Sequence, residues 1–241
     1  MENKNVDVQA SEEVSYDSLL KSQTLLKNRE AGNLHQISDI ISDVISKSGS
    51  ANISILELGF GDGRHLRKLS EKYNEAKIIG LEVRKKTVDD MVAKGYYCRL
   101  VETEVFDSFF DPDEKFDVIY GFGVIHHMSD PYKSMESLIG LLKPGGVIVF
   151  IREHHRYDLL SHLYAIMKGN WVYEKNTLKM KRKPFKMMLA KYTDDYYVRY
   201  DNNTISMCFK RLNTVHKKLR LSRVPLWNGM TIFARVGTGE E

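Results

Sequence analysis

Two periodicities alternate along the middle of the chain. Short apolar runs occupy 53–58, 77–83, 97–101, 116–120 and 147–152, each bounded by glycine, charge or a turn. Continuous apolar runs of this length are what strands of a parallel sheet, buried on both faces, look like. Between them, Leu66 and Leu69 mark a helix over 64–73, a second helix fits 84–94, and Asp130-Pro131 opens a third that runs to 142, with proline at its first turn. Lys143-Pro144-Gly145-Gly146 is a stop and turn. Upstream, Leu34, Ile37, Ile40, Ile41, Val44 and Ile45 form a helical stripe that ends at Ser48-Gly49. A shorter amphipathic helix fits 14–31 through Tyr16, Leu19, Leu20 and Gln23. Downstream, Leu159, Leu160, Leu163, Ile166 and Met167 fall on helical spacing, 205–219 reads as helix, and 229–236 reads as a last strand. Strands alternating with helices predict an α/β chain built on a mostly parallel sheet.

The stretch 53–65, ISILELGFGDGRH, carries the first chemistry. A strand closes on Glu57, and Gly59, Gly61 and Gly63 follow on alternate positions before a helix starts at Arg64. Glycines at such a turn permit backbone conformations closed to other residues and let a ligand approach the main chain. The spacing E-x-G-x-G-x-G differs from the G-x-G-x-x-G of dinucleotide sites, which disfavours a nicotinamide-linked oxidoreductase. An acid two residues before the first glycine suits a ligand bearing an ammonium group better than a pyrophosphate. Glu82 ends the second strand 19 residues beyond Gly63, where a carboxylate can accept the hydroxyls of a ribose.

Glu57, the three glycines, Glu82, FDVIYGFGVIHHM at 116–128 and LLKPGGVIVFIREHH at 141–155 together resemble the class I S-adenosylmethionine-dependent methyltransferases, in the small-molecule, type 11-like branch. The resemblance covers about 53–155. It implies a Rossmann-like, doubly wound, seven-stranded sheet, mostly parallel with an antiparallel last strand, helices on both faces and an inserted cap segment. It implies S-adenosyl-L-methionine as cofactor and S-adenosyl-L-homocysteine as product. The cofactor-binding set it implies is Glu57, Gly59, Phe60, Gly61, Glu82, Val83, Gly121 and Phe122, with Glu102 and Thr103 at the adenine edge and Glu104 and Asp107 as competitors for that role. The organisation expected is a helical lid over 1–50, a cofactor-binding core over 51–155, a recognition insertion over 156–223 and a returning strand with a loose tail over 224–241. Tyr16 is the lid aromatic that would touch ligand or substrate.

His126 and His127 follow the fourth strand, and Glu153, His154 and His155 end the fifth. Imidazoles titrate near neutrality, so His127 and His154 are the candidate general bases, with His126 and His155 as substrate contacts. No H-E-x-x-H pair accompanies them, and no metal is expected.

Charge changes the picture further on. Of 241 residues at net +4, the segment 156–223 holds 16 Lys and Arg against 5 Asp and Glu. Tyrosines and a tryptophan interleave its lysines, so this segment reads as facing an anion or as a solvated basic face. The leading function is methyl transfer to an O or N atom of a small, anionic metabolite. RNA is the alternative acceptor, and a cofactor-binding, non-catalytic partner subunit is the alternative of another class. DNA base methylation is disfavoured because no N-P-P-Y-like sequence occurs. Two distant cysteines, Cys98 and Cys208, predict a reduced, cytoplasmic protein with no thiolate cluster. No apolar run is long enough to cross a membrane. Oligomeric state is not legible.

Overall fold

A computed structural model describes residues 23–104, 106, 108–156, 162–163, 166–167, 169, 175–200 and 229–238, with side chains from Gly32 onward. Tyr16, Asp107 and the helix expected over 205–219 lie outside the described residues.

A helix spanning Gln23–Ser48 (α1) opens the described chain. It runs without a break through Gly32 and Asn33, where two separate helices were expected. Five parallel strands follow in β-α alternation: β1 Ser54–Leu58, α2 Arg64–Lys72, β2 Lys77–Glu82, α3 Lys85–Val92, β3 Cys98–Leu100, β4 Phe116–Phe122, α4 Pro131–Ile139 and β5 Leu142–Glu153. Helix α5 (Arg182–Leu189), β6 (Tyr196–Tyr200) and β7 (Met230–Arg235) complete the sheet, in the order β3-β2-β1-β4-β5-β7-β6. β7 runs antiparallel to β5, as expected of the returning strand. The edge strand β6 was not expected. It comes from the segment whose composition reads as a recognition insertion, and it pairs antiparallel with β7. Tyr197 stacks on its register partner Phe233 at 4.9 Å, while only Val198 of β6 is fully buried. A tyrosine-rich strand with one buried aliphatic residue leaves little period-2 signal.

Strand alternation divides the core between two faces. Ile55, Val118, Val147, Val149 and Ile151 meet Ile37, Ile41 and Val44 of α1, Leu66 and Leu69 of α2, and Val88 and Met91 of α3. Leu56, Leu58, Ile119, Ile148, Phe150 and Ile232 meet Met135 and Leu138 of α4 and Phe185, Met188 and Leu189 of α5. Nine-residue helices such as α2 are marginal alone, so burial of their apolar stripe holds them. The same packing makes α1 part of the core.

Two irregularities in β5 bear on the site. The ladder with β4 jumps from Phe116↔Leu142 to Val118↔Val147, so Lys143–Gly146 form the expected turn as a break in pairing. Later, Phe150 pairs with Ile232 but Glu153 pairs with Met230. Three steps on β5 oppose two on β7, which is a bulge carrying one extra residue. Arg152 sits there at φ 60, in the left-handed region that non-glycine residues rarely occupy. The extra residue turns Glu153 onto the face of Phe150, away from the face of Ile151.

Candidate active site

Strand order reverses between β1 and β4, and in open α/β sheets ligands bind at that switch point, beyond the carboxyl ends of the strands. Here those ends are Glu57–Gly59 and Gly121–Gly123. The glycine loop is tied to β2: Gly59 N donates to Leu81 O at 2.8 Å, and Gly61 N donates to Glu82 Oε2 at 2.8 Å. Glu82 also accepts from Val83 N at 3.0 Å, and its oxygens meet the Arg84 guanidinium at 3.3 Å. The second-strand acid therefore organises the loop. Gly59 has φ +67, and a Cβ on it would lie 2.6 Å from Val124 Cγ2. A Cβ on Gly121 would lie 2.6 Å from Val124 Cγ1 and 2.9 Å from Leu58 O. Val124 thus fills the space that both glycines leave.

Beneath the loop, Glu57 is 1% exposed, and its Oε2 meets no hydrogen-bond partner among the described residues. Burial pushes its carboxyl up to about 8, assisted by Asp62 and Glu82, while the Tyr120 hydroxyl opposes the shift. His65 Nδ1 stands 4.0 Å from Glu57 Oε1, and its ring packs on Phe122 at 4.6 Å. His65 and Tyr120 join this side of the site although sequence reasoning did not single them out. The available signal was position: His65 is the second residue of the helix that leaves the glycine loop.

On the other side of Gly121–Gly123, a 3-10 turn over Ile125–His127 is fastened to the end of β5. Glu153 Oε1 accepts from Val124 N at 2.9 Å. Its Oε2 accepts from His126 N at 3.1 Å and closes on His126 Nδ1 at 2.7 Å. Both side chains are buried, at 0% and 1% exposure. Burial holds Glu153 up at about 7, against the pull of the Val124 and His126 backbone N–H groups. Burial also holds His126 well below the usual imidazole range, with His127 and His154 adding to the effect. The His126 ring lies 4.1 Å from that of His127 and 4.9 Å from that of His154. The outer two are half-buried. Such a group can take a proton at the rim while its inner member holds the turn in place.

The methyltransferase-domain family matches residues 55–146, which is the span from β1 through the turn that precedes the paired part of β5. That segment is similar to methyltransferase domains. Tocopherol O-methyltransferase of Arabidopsis thaliana is 29% identical over 147 residues, 59% of this chain and 40% of that protein. Ubiquinone biosynthesis O-methyltransferase of Vibrio vulnificus is 25% identical over 140 residues, 56% of this chain and 58% of that protein. The chain thus spans about half the length of the curated relatives it matches. Among solved structures, the plantazolicin methyltransferase BamL, crystallised with a triazolic desmethylPZN analog and SAH, is 17% identical. It superposes with a TM-score of 0.63 over 95% of this chain and 90% of that one. A methyltransferase of Archaeoglobus fulgidus, 12% identical, gives 0.56 over 82% and 93%. These likenesses are to the fold.

The remaining expected site residues divide clearly. Thr103 is half-buried and Glu102 exposed, both just past β3. Their competitor Glu104 is engaged elsewhere, accepting from Ser129 N at 2.9 Å and 2.8 Å. The Phe60 side chain belongs to the core: it is 3% exposed, and its ring lies where a Cβ on Gly80 would come within 2.6 Å. Val83 packs against the opposite core. His126 is a buried partner of Glu153 rather than a surface available to a substrate. His155 is likewise 1% exposed and packs its ring 4.7 Å from Tyr200. Among the described residues no group of three His, Cys, Asp or Glu is arranged to hold a metal ion, and no helix is long and apolar enough to cross a membrane.

Proposed function

We propose that this chain catalyses methyl transfer from S-adenosylmethionine to an oxygen or nitrogen of a small, anionic acceptor. The observation that carries the reading is the buried Glu57 Oε2, unmet at the switch point of the sheet beside the glycine loop. A buried acceptor with no donor is costly, and a ligand ammonium would satisfy it. Glu82 would take the ribose hydroxyls in exchange for its long contacts to Arg84. Gly59 and Gly61 would line the cofactor with backbone, Phe122 would face its methionine part, and Glu102 and Thr103 would take the adenine edge. Tyr16, outside the described residues, keeps its proposed role as the covering aromatic.

When bound, the cofactor supplies a methyl group already activated by the sulfonium. The protein's task is then to position the acceptor in line and to exclude water. His127 and His154, at the carboxyl ends of β4 and β5, would take the proton of an acceptor hydroxyl. The three curated relatives, from Arabidopsis thaliana and two strains of Vibrio vulnificus, are all named O-methyltransferases, which favours oxygen as the accepting atom.

Calorimetric titration tests the reading. Binding of S-adenosylmethionine and S-adenosylhomocysteine at about micromolar Kd, without binding of NAD, is the expected result. Labelled methyl transfer into cell extract should then fall at least ~10-fold in His127→Ala or His154→Ala, with cofactor affinity kept. Cofactor binding without transfer into any extract would replace the enzyme reading with that of a binding subunit. No cofactor binding would refute the proposal.

A further inference from the structure

Lys181, Arg182, Lys183, Pro184, Lys186 and Tyr200 line an open groove of about 590 Å3 at the start of α5. Four of the six are cationic and none is acidic. Arg182 and Lys186 stand at i,i+4 and Lys183 and Lys186 at i,i+3, spacings at which like charges repel. Among the described residues no carboxylate pairs with Lys181, Lys183 or Lys186, although elsewhere Lys77, Lys85 and Lys143 each have an acidic partner. A solvated lysine face needs no concavity and no fixed cation. Here Arg182 Nε donates to Val198 O at 2.6 Å, and its guanidinium lies 5.7 Å from the Tyr200 ring.

One wall of the groove meets the end of β5. Tyr200, its aromatic wall, packs 4.7 Å from His155, the residue after His154. From the other side, Lys181 N donates to the Tyr132 hydroxyl at 3.3 Å, and Asn176 Nδ2 donates to His127 O at 3.2 Å. The residue that leads into α5 is thus tied to α4 through Tyr132, and the 3-10 stretch before it, Lys175–Lys179, meets the turn bearing His126 and His127 through Asn176. Its volume falls within the range of small-molecule sites, and cations with an aromatic wall suit a phosphate joined to a flat or sugar-like body.

We propose that this groove anchors a phosphate-bearing part of the methyl acceptor, a phosphorylated small molecule of about nucleotide size, with Lys181, Lys183 and Lys186 on the phosphate and Tyr200 against the body. The assignment of this ligand as the methyl acceptor rests on the transfer reading above; the binding site itself does not.

Calorimetry with inorganic pyrophosphate and with uridine monophosphate tests it, on the full chain at low and moderate salt. Submillimolar binding that weakens with salt is expected, with at least a ~10-fold loss in Lys183→Glu/Lys186→Glu. The control Lys86→Glu/Lys94→Glu, equal in charge change but outside the groove, should keep wild-type affinity. Thermal melts check that both variants are folded. Equal weakening in both variants, or no wild-type binding at about 10 mM pyrophosphate, overturns the site. A 20-nucleotide RNA bound more than ~100-fold tighter than either probe, and lost in the groove variant, overturns the small-molecule form in favour of a nucleic-acid surface. S-adenosylhomocysteine is titrated in parallel, so loss of the cofactor reading alone leaves the phosphate result standing.

Discussion

Replacing Glu153 with alanine removes the partner of three groups at once: the donors Val124 N at 2.9 Å and His126 N at 3.1 Å, and the ring nitrogen His126 Nδ1 at 2.7 Å. Glu153 is fully buried and His126 nearly so. A buried donor or acceptor left without a partner costs about 1–3 kcal/mol. Some relief comes from relaxation of the turn and from water entering the vacated space, so the expected total loss is roughly 3–5 kcal/mol. Against a typical domain stability of about 5–15 kcal/mol that is a large fraction. It corresponds to a fall in Tm of roughly 6–20 °C for a chain of this size. Glu153→Gln keeps one carbonyl oxygen and nearly the same shape, so about 1–2 kcal/mol should be lost. The assay is urea denaturation followed by far-UV circular dichroism near pH 6, reading the midpoint at unchanged slope. A double-mutant cycle with His126→Ala should give a coupling of at least ~1 kcal/mol. Loss of less than ~1 kcal/mol in Glu153→Ala, with the slope unchanged, would refute the assignment of Glu153 as the anchor of the turn.

Two further outcomes are expected. Glu57 has its carboxyl raised from 4.5 to about 8, so between those values the folded state holds a proton that the unfolded state has released. Its contribution to stability falls as pH rises through 4.5 to about 8, with a slope of up to about 1.4 kcal/mol per pH unit, and is flat above. Glu57→Gln cannot titrate, and Asp62, Glu82, Tyr120 and His65 remain in both proteins. The stability difference between wild type and variant should therefore follow that slope in urea melts from pH 5 to 8, and a pH-independent difference would exclude it. Gly121→Ala places a methyl 2.6 Å from Val124 Cγ1 and 2.9 Å from Leu58 O, for an expected loss of about 1–3 kcal/mol. Val124→Ala in the same chain should recover only part of that, because the backbone contact remains; full recovery would assign the whole clash to Val124.

Residues 53–65 were legible from sequence because their signals are local. An apolar run encodes a buried strand, glycine encodes a left-handed turn, and Leu66 and Leu69 give the following helix a face to bury. Glu57 and Glu82 were legible because a strand's end fixes where its last side chain stands. The order of these elements then placed them at one edge of one sheet. Other features depend on which strand lies next to which, and no window of sequence holds that. By alternation from Val147, Glu153 would share the face of Ile151; the bulge at Arg152, measured against β7 from the far end of the chain, moves it under the 3-10 turn. The sequence names His127 and His154 as candidate bases and His126 and His155 as substrate contacts. Packing made His126 and His155 interior and left His127 and His154 at the rim. Tyr196–Tyr200 became an edge strand because β7 offered it a partner, and that pairing brought Tyr200 beside the lysines of α5. The sequence by itself determined the strand-turn-helix units, since dihedral preference and hydrophobic period act over a few residues. Only the tertiary structure decided the aim of Glu153, the burial of His126 and His155 and the groove, because each is a contact between segments distant along the chain.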